Sequence, residues 1–286
     1  MGSKLVLITG GAGFIGSHLA DTLVAGGYRV RILDALVPQV HGPERKRPTY
    51  LHPDAQLLVG DVRDAETIKR ALQDIEAVVH FAAAVGVGQS MYEIASYVAA
   101  NIQGTANLLQ VVSEGEHRVR KLVVASSMSV YGEGAYRCTR CGPCAPPLRS
   151  PTQLGSKQWE MACPVCGGSA EPVPTPEGKL LAPTSIYAIT KRDQEEMCLC
   201  VGQAYGIPTV ALRFFNVYGE RQALSNPYTG VAAIFSSRLL NDQPPLIYED
   251  GRQSRDFIHV NDIAQATVLA MHRPEANYQI FNVGTG

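Results

Sequence analysis

The chain has little of what would place a protein on a polyanion, in a bilayer or outside the cell. Twenty-five Lys and Arg against 26 Asp and Glu leave a formal charge of −1. No field is present to gather nucleic acid or an anionic membrane surface, so recognition must come from a local site. No uninterrupted apolar run approaches the ~20 residues of a membrane span. The opening MGSKLVLITG passes directly into a strand-like run, leaving no room for the basic segment, apolar stretch and cleavage site of a signal peptide. Val6 stands where a myristoylation signal needs Ser or Thr. The expectation is a cytoplasmic chain with neither a nucleic-acid nor a membrane partner, whose seven cysteines are thiols or metal ligands rather than disulfides. What is present, 45% apolar and 18% charged residues, is enough for a large core or two lobes.

Short β-branched runs alternate with helical patterns: KLVLITG, FIGSHLADTLVAGG, YRVRILDA, QLLVGDV, AETIKRALQ, EAVVHFAA, ANLLQVVSE and KLVVASS. Apolar strands alternating with amphipathic helices predict an α/β fold, a doubly wound parallel sheet covered on both faces. Between Gly132 and Pro183 the pattern breaks into a segment rich in Pro, Gly and Cys, which reads as an insertion. A helix resumes at SIYAITKRDQEEMCLCVGQAYG, with Thr184 or Ser185 to cap it and Gly206 and Pro208 to end it. Strand TVALRFFNVYG follows, then loops, a helix through DIAQATVLAMH and a strand YQIFNV.

In ITGGAGFIG, glycines satisfy the dinucleotide pattern in two registers, through Gly11 or Gly10 with Gly13 and Gly16, and enclose Phe14 and Ile15. A pyrophosphate reaches backbone N–H groups at a helix N-terminus only where side chains are missing. Asp34, ending the second strand, can accept hydrogen bonds from the adenosine ribose and would repel a 2′-phosphate, which favours NAD over NADP. Asp61 and Val62 end the third strand near the expected adenine edge; Phe81, Ala82 and Ala83 end the fourth beside the cofactor. The division expected is a Rossmann core over 1–132, the insertion over 133–182, a return to the core over 183–218, and a smaller C-terminal substrate lobe, interleaved with the core, over 219–286.

Tyr187 and Lys191 stand four apart on the resumed helix, hence on one face. A free phenol has a pKa near ~10, and an adjacent ammonium favours its phenolate. Tyr187 could then take a hydroxyl proton. Ser127, in ASSMSVYG at the carboxyl edge of the fifth strand, could hold the substrate oxygen beside it.

In this order, the glycine turn, Asp34, HFAA, NIQGT, Ser127, Tyr187 with Lys191, LRFFNVYG and RDFIHVND resemble the extended short-chain dehydrogenase/reductases, the nucleotide-sugar epimerase and dehydratase family. The resemblance implies an NAD enzyme with Tyr187 as acid/base, Lys191 lowering its pKa and holding the nicotinamide ribose, and Ser127 orienting the sugar hydroxyl. It implies that Asn101 and Phe214 lie against the cofactor. It also implies that Asn216 and Arg255, aided by Arg221 and Asn226, hold the substrate pyrophosphate. His80 and His259 read as structural, as do Cys198 and Cys200 as core packing.

Dehydratases of the family resemble one another in an Asp-Glu pair after the active-site hydroxyl; here Met128 and Ser129 stand there. Without that acid, transient oxidation at C4 and return to the other face, a 4-epimerisation, fits better than elimination. ALRFFNVYGERQALSNPYTGVAAIFSSRLL with the insertion is most similar to the bacterial dTDP-L-rhamnose 4-epimerase group, with UDP-hexose 4-epimerases near and a decarboxylase or dehydratase the alternative. A homodimer is typical of the family. Family members usually continue past the final FNVGTG, so a chain shortened at its C-terminus is expected. A non-enzymatic NAD sensor with a partner-binding ribbon is the reading from another class.

The insertion contains two Cys-x-x-Cys-Gly turns, Cys138 with Cys141 and Cys163 with Cys166. Four thiolates so spaced suit a closed, structural zinc ribbon, with free thiols as the alternative and Cys144 as a spare. A ribbon binding nucleic acid is disfavoured, since Arg137, Arg140 and Arg149 have no row of aromatic residues beside them.

Overall fold

The computed structural model describes residues 4–115, 117–223 and 230–286. Its strands are β1 (Leu5–Thr9), β2 (Arg29–Asp34), β3 (Gln56–Val59), β4 (Ala77–His80), β5 (Lys121–Ser127), β6 (Ala135–Cys138), β7 (Gly142–Cys144), β8 (Ala170–Val173), β9 (Thr209–Phe214), β10 (Asn216–Tyr218), β11 (Phe257–His259) and β12 (Ile280–Val283). Seven of them, in the order β12-β9-β5-β4-β1-β2-β3, form one parallel sheet. β1 and β5 are buried along their whole length, as unbroken apolar strands must be when helices cover both faces. After β3 the chain returns to the far side of β1, so the strand order reverses between β1 and β4. That reversal leaves a crevice outside the carboxyl ends, where open α/β sheets bind ligands. This is a Rossmann-like sheet.

Two apolar layers hold it. On one face Val6, Ile8, Ile32 and Val210 pack with Leu19 and Leu23 of helix Phe14–Ala25 and with Ile263 and Ala264 of helix Val260–His272. On the other, Leu7, Leu33, Val78 and Val124 pack with Ile68 of helix Ala65–Ala71, Leu108 of helix Gly104–Ser113 and Cys198 of helix Ile186–Ala204. Ser185 caps the last of these by accepting from the Ala188 N–H at 3.1 Å, and the chain leaves it through Gly206 at φ +66°. Cys198 is fully buried, but Cys200 is exposed, contrary to the expectation of core packing for both. Two residues along a helix turn a side chain to nearly the opposite face.

The insertion has its own three-stranded antiparallel sheet, β7-β6-β8, and a short helix, Pro151–Gly155, where the sequence showed no sustained period. Strands of three or four residues are too short to display one. β10 and β11 form a separate parallel pair. Among the described residues no helix is long and apolar enough to cross a membrane.

Candidate active site and cysteine centre

The carboxyl ends of β1 and β4 approach closely because Gly10 has no side chain. A Cβ there would sit 2.8 Å from the Ala82 nitrogen, and its φ of +69° suits glycine. At Gly16 a Cβ would lie 2.5 Å from the Gly11 Cα, so the turn and the helix it opens can close only with glycine. Gly13 is the helix N-cap and carries no side-chain cap; a Cβ there would meet only the Gly10 oxygen at 3.4 Å. The amides of Phe14 and Ile15 thus open the helix without a capping side chain, in a turn with room for an anion. Asp34 braces this turn from β2: Oδ2 accepts from the Ala12 N–H at 3.0 Å and Oδ1 from the Leu36 N–H at 2.9 Å. Each oxygen keeps a lone pair for a ribose hydroxyl. These features fit a dinucleotide.

Asp61 is gripped by Arg63 at 2.6 Å. Burial raises its pKa, but the hydrogen bonds from Arg63 outweigh this and hold the carboxyl below its usual range. Val62 packs on Gly104, where a Cβ would meet its Cγ2 at 2.5 Å. Phe81 and Phe214 meet edge to face, with centroids 5.6 Å apart. Ala82 covers Gly10, and Ala83 follows it. Asn101 is fully buried. It accepts from the Ala84 N–H at 2.7 Å, returns a bond to the Ala84 oxygen at 3.1 Å, and donates to Thr190 Oγ1 at 2.9 Å. Asn101 therefore clamps the loop after β4 to the Tyr187 helix.

Ser127 ends β5 opposite Phe214 of β9. Its Oγ accepts from both the backbone and the hydroxyl of Ser129, at 3.2 and 3.0 Å. That leaves its own proton available to the nearby Tyr187 phenol. The Tyr187 pKa is nevertheless raised, because burial disfavours the phenolate more than the Ser127 bond favours it. This corrects the expectation that Lys191 draws the phenol down. The Lys191 ammonium instead donates to Gln194 Oε1 at 2.8 Å, and burial pulls its pKa down to about 8.

Asn216 donates to the Asp256 oxygen at 3.0 Å and lies 3.6 Å from Met128 Sδ, which brings it beside both Ser127 and the Arg255 loop. Arg255 is exposed. Arg221 is turned elsewhere: it pairs with Asp21 of the glycine-turn helix at 2.8 Å and lies over the Tyr50 ring. Asn226 lies outside the described residues. His259 accepts from the Asn261 N–H and caps the helix that follows it.

Sequence reasoning missed the groups that hold this edge together. Arg213 of β9 and Glu195 of the Tyr187 helix form a doubly bonded ion pair, at 2.9 and 2.5 Å, with both side chains buried. Arg213 also donates to Tyr131 Oη and to the Glu177 oxygen where the insertion returns. The available signal was spacing, since Gln194 and Glu195 follow Lys191 by three and four residues. Two hollows lie at the opposite edge of the sheet, one beside Lys4 and Lys121, the other beside His117 and Tyr205, and neither joins a hydroxyl to a phenol and an amine.

In the insertion the Sγ atoms of Cys138, Cys141, Cys163 and Cys166 all lie within 4.8 Å of one another. Gly142 and Gly167, at φ +78° and +70°, turn the chain after each pair. The N–H groups of Cys166 and Val165 face the Cys163 sulfur and draw its pKa down to about 6. Those of Cys141 and Arg140 act likewise, lowering Cys138. Four sulfurs at this spacing, two of them faced by backbone amides, fit a divalent ion that prefers thiolate.

Comparison with known proteins agrees with this geometry. dTDP-L-rhamnose 4-epimerase of Burkholderia thailandensis is 36% identical over 99% of this chain and 77% of its own length. UDP-N-acetyl-alpha-D-glucosaminuronate decarboxylase of Bacillus cytotoxicus is 32% identical over 99% of this chain and 75% of its own. UDP-glucose 4-epimerase of Thermus thermophilus, solved with NAD, superposes with a TM-score of 0.72 at 31% identity, covering 99% of this chain and 78% of that one. The model of the NAD dependent epimerase/dehydratase family matches residues 6–151 and 162–284, so this chain is an enzyme belonging to that family.

Proposed function

We propose that the chain is an NAD-dependent nucleotide-sugar 4-epimerase acting between dTDP-L-rhamnose and dTDP-6-deoxy-L-talose. The observation that carries the reading is the placement of Ser127, at the carboxyl end of β5, close enough to act on the Tyr187 phenol, next to Met128 and Ser129 rather than a pair of carboxyl groups. Bound NAD, with its pyrophosphate on the Gly10–Gly16 turn and its ribose on Asp34, supplies the acceptor for the C4 hydride and its return. Ser127 holds the C4 oxygen. Tyr187 takes the hydroxyl proton as the hydride leaves and gives it back after the keto sugar has turned over. Asn216 and Arg255 hold the pyrophosphate of the sugar nucleotide, with Asn226 assigned to the same loop. Cys138, Cys141, Cys163 and Cys166 bind a structural zinc, because four thiolates close the coordination sphere. Two copies pair along the Tyr187 helix, next to which Met91, Ile94 and Val98 are exposed.

The runner-up is a UDP-hexose 4-epimerase, favoured by the Thermus relative, or a decarboxylase, favoured by the Bacillus relative. Incubation with a panel of dTDP- and UDP-sugars, with products identified by NMR, decides among them. Tyr187→Phe should lower turnover by roughly 10²- to 10⁴-fold while NAD stays bound. A protein that binds NAD and turns over none of the panel would be a sensor.

A further inference from the structure

Beneath the crevice lies a polar chain sealed from water. Thr9, His80, Asn101, Thr105, Gln194 and Lys191 are each at most 3% exposed. The proton positions follow from donor counting. The Thr105 hydroxyl has one proton, and it goes to the Asn101 oxygen at 2.6 Å. Thr105 Oγ1 therefore accepts from its other neighbours, Gln194 Nε2 and His80 Nε2, both at 2.8 Å. His80 must carry its proton on Nε2, which leaves Nδ1 to accept from Thr9 Oγ1 at 2.7 Å. Thr9 in turn accepts from the Ala82 N–H at 3.2 Å. His80 is a neutral imidazole in one tautomer; burial, reinforced by the charge of Lys191, pulls its pKa to about 3. With the Gln194 nitrogen committed to Thr105, its oxygen faces the Lys191 ammonium at 2.8 Å. The flipped amide would set donor against donor.

We propose that Gln194 is a positioning residue for the Tyr187 and Lys191 pair: Thr105 and neutral His80 aim its amide oxygen, and that oxygen holds the ammonium. The proposal rests on the epimerase reading and deepens it. Lys191 has a flexible stem, and the carboxylate nearest in sequence, Glu195, is spent on Arg213. The titratable groups that act on the ammonium are His80 from β4, with Glu195 and Cys198 from its own helix; the Cys198 thiol is pushed up to about 12 by burial and is neutral. A neutral amide fixes the ammonium without tying it into an ion pair. Because Thr9 directly precedes Gly10, the same chain of bonds joins the dinucleotide turn to the catalytic amine.

Two substitutions separate positioning from mere support. Gln194→Leu removes an acceptor from the charged amine and should lower the Lys191 pKa below its resting value; Gln194→Glu adds a negative charge and should raise it. Each shift is expected to be about one pH unit, a tenfold change in the protonation equilibrium. Titration of isotopically labelled lysine by NMR reads this without substrate. The alkaline limb of reduced-nicotinamide formation, driven by whichever sugar the panel identifies, should move with it: down in Gln194→Leu and up in Gln194→Glu. The KM for the sugar should change less than kcat. Thr105→Val, which leaves Gln194 but frees its amide, should shift both readouts in the sense of Gln194→Leu by a smaller amount, and serves if a Gln194 variant fails to fold. Lysine titration and alkaline limb both unmoved in the folded variants would overturn the proposal. A shifted lysine with no sugar turned over would sink the epimerase reading and leave Gln194 as the residue that positions Lys191.

Discussion

The dinucleotide crevice and the cysteine insertion both gather polar atoms into a small space, but they are held by different means. Under the crevice, Lys191, Gln194, His80 and Thr105 rest between apolar layers built from the central strands and their helices. Their positions are set by protein packing and by the chain of hydrogen bonds that links them. The insertion has almost no such support. Over 133–182 the buried hydrophobic residues are Cys138, Met161, Cys163 and Ala170, and two of these are thiols of the cluster itself. Fully burying a methionine side chain stabilises by about 1.5–3 kcal/mol, whereas a structural zinc contributes on the order of 10–16 kcal/mol. By magnitude, a zinc bound there as proposed would decide whether the insertion folds, and the sheet decides whether the crevice does.

Removing the proposed metal is the largest test of that contrast. Treatment with a thiol-reactive mercurial and a chelator should abolish hydrogen-exchange protection over 133–182 and leave β1 and β5 protected. Cys163→Ser should do the same. If protection in β1 fell in step with that in β6, the two regions would be one cooperative unit and the contrast would fail.

How much of each region was legible in the sequence follows the same line. The glycine turn, Asp34, Ser127 and the Tyr187 helix could be read because their chemistry depends on residue type at fixed local spacing, and the Cys-x-x-Cys-Gly turns are local in the same way. The Ser185 cap and the Gly206 exit were legible for this reason. The rest depends on contacts between distant segments. Lys191 shares its face with Tyr187, but its bond goes on to Gln194, whose amide is aimed by Thr105, 89 residues away. The direction of the Tyr187 pKa was missed because burial, which no local pattern reveals, outweighed the hydrogen bond. Arg221 faces Asp21 rather than Arg255 through a contact spanning most of the chain.

The second test compares ion pairs. Glu195→Ala should cost about 3–5 kcal/mol in denaturant unfolding, because it strands the Arg213 guanidinium in the interior. Replacing both partners by apolar residues of similar volume should restore much of the loss. A cost below ~1 kcal/mol for Glu195→Ala would mean that water reaches the pair, and that the crevice is less tightly sealed than its packing indicates.

The smallest effect lies at the insertion's outer contact. Arg149 bonds Glu249 at 2.8 Å, and the two side chains are 23% and 21% exposed. The same guanidinium donates to the Trp159 oxygen, so it joins the insertion to the segment that leads to Arg255. Glu249 is held below the usual carboxylate range, first by the hydrogen bond from Arg149, which outweighs the opposing effect of burial. Because water and salt reach this pair, Arg149→Ala and Glu249→Ala should each cost no more than about 1 kcal/mol, and a double-mutant cycle should give a coupling that shrinks as salt is added. A coupling as large as that of Glu195 with Arg213, and insensitive to salt, would show that the insertion is docked as tightly as a core element and does not depend on its thiolates alone.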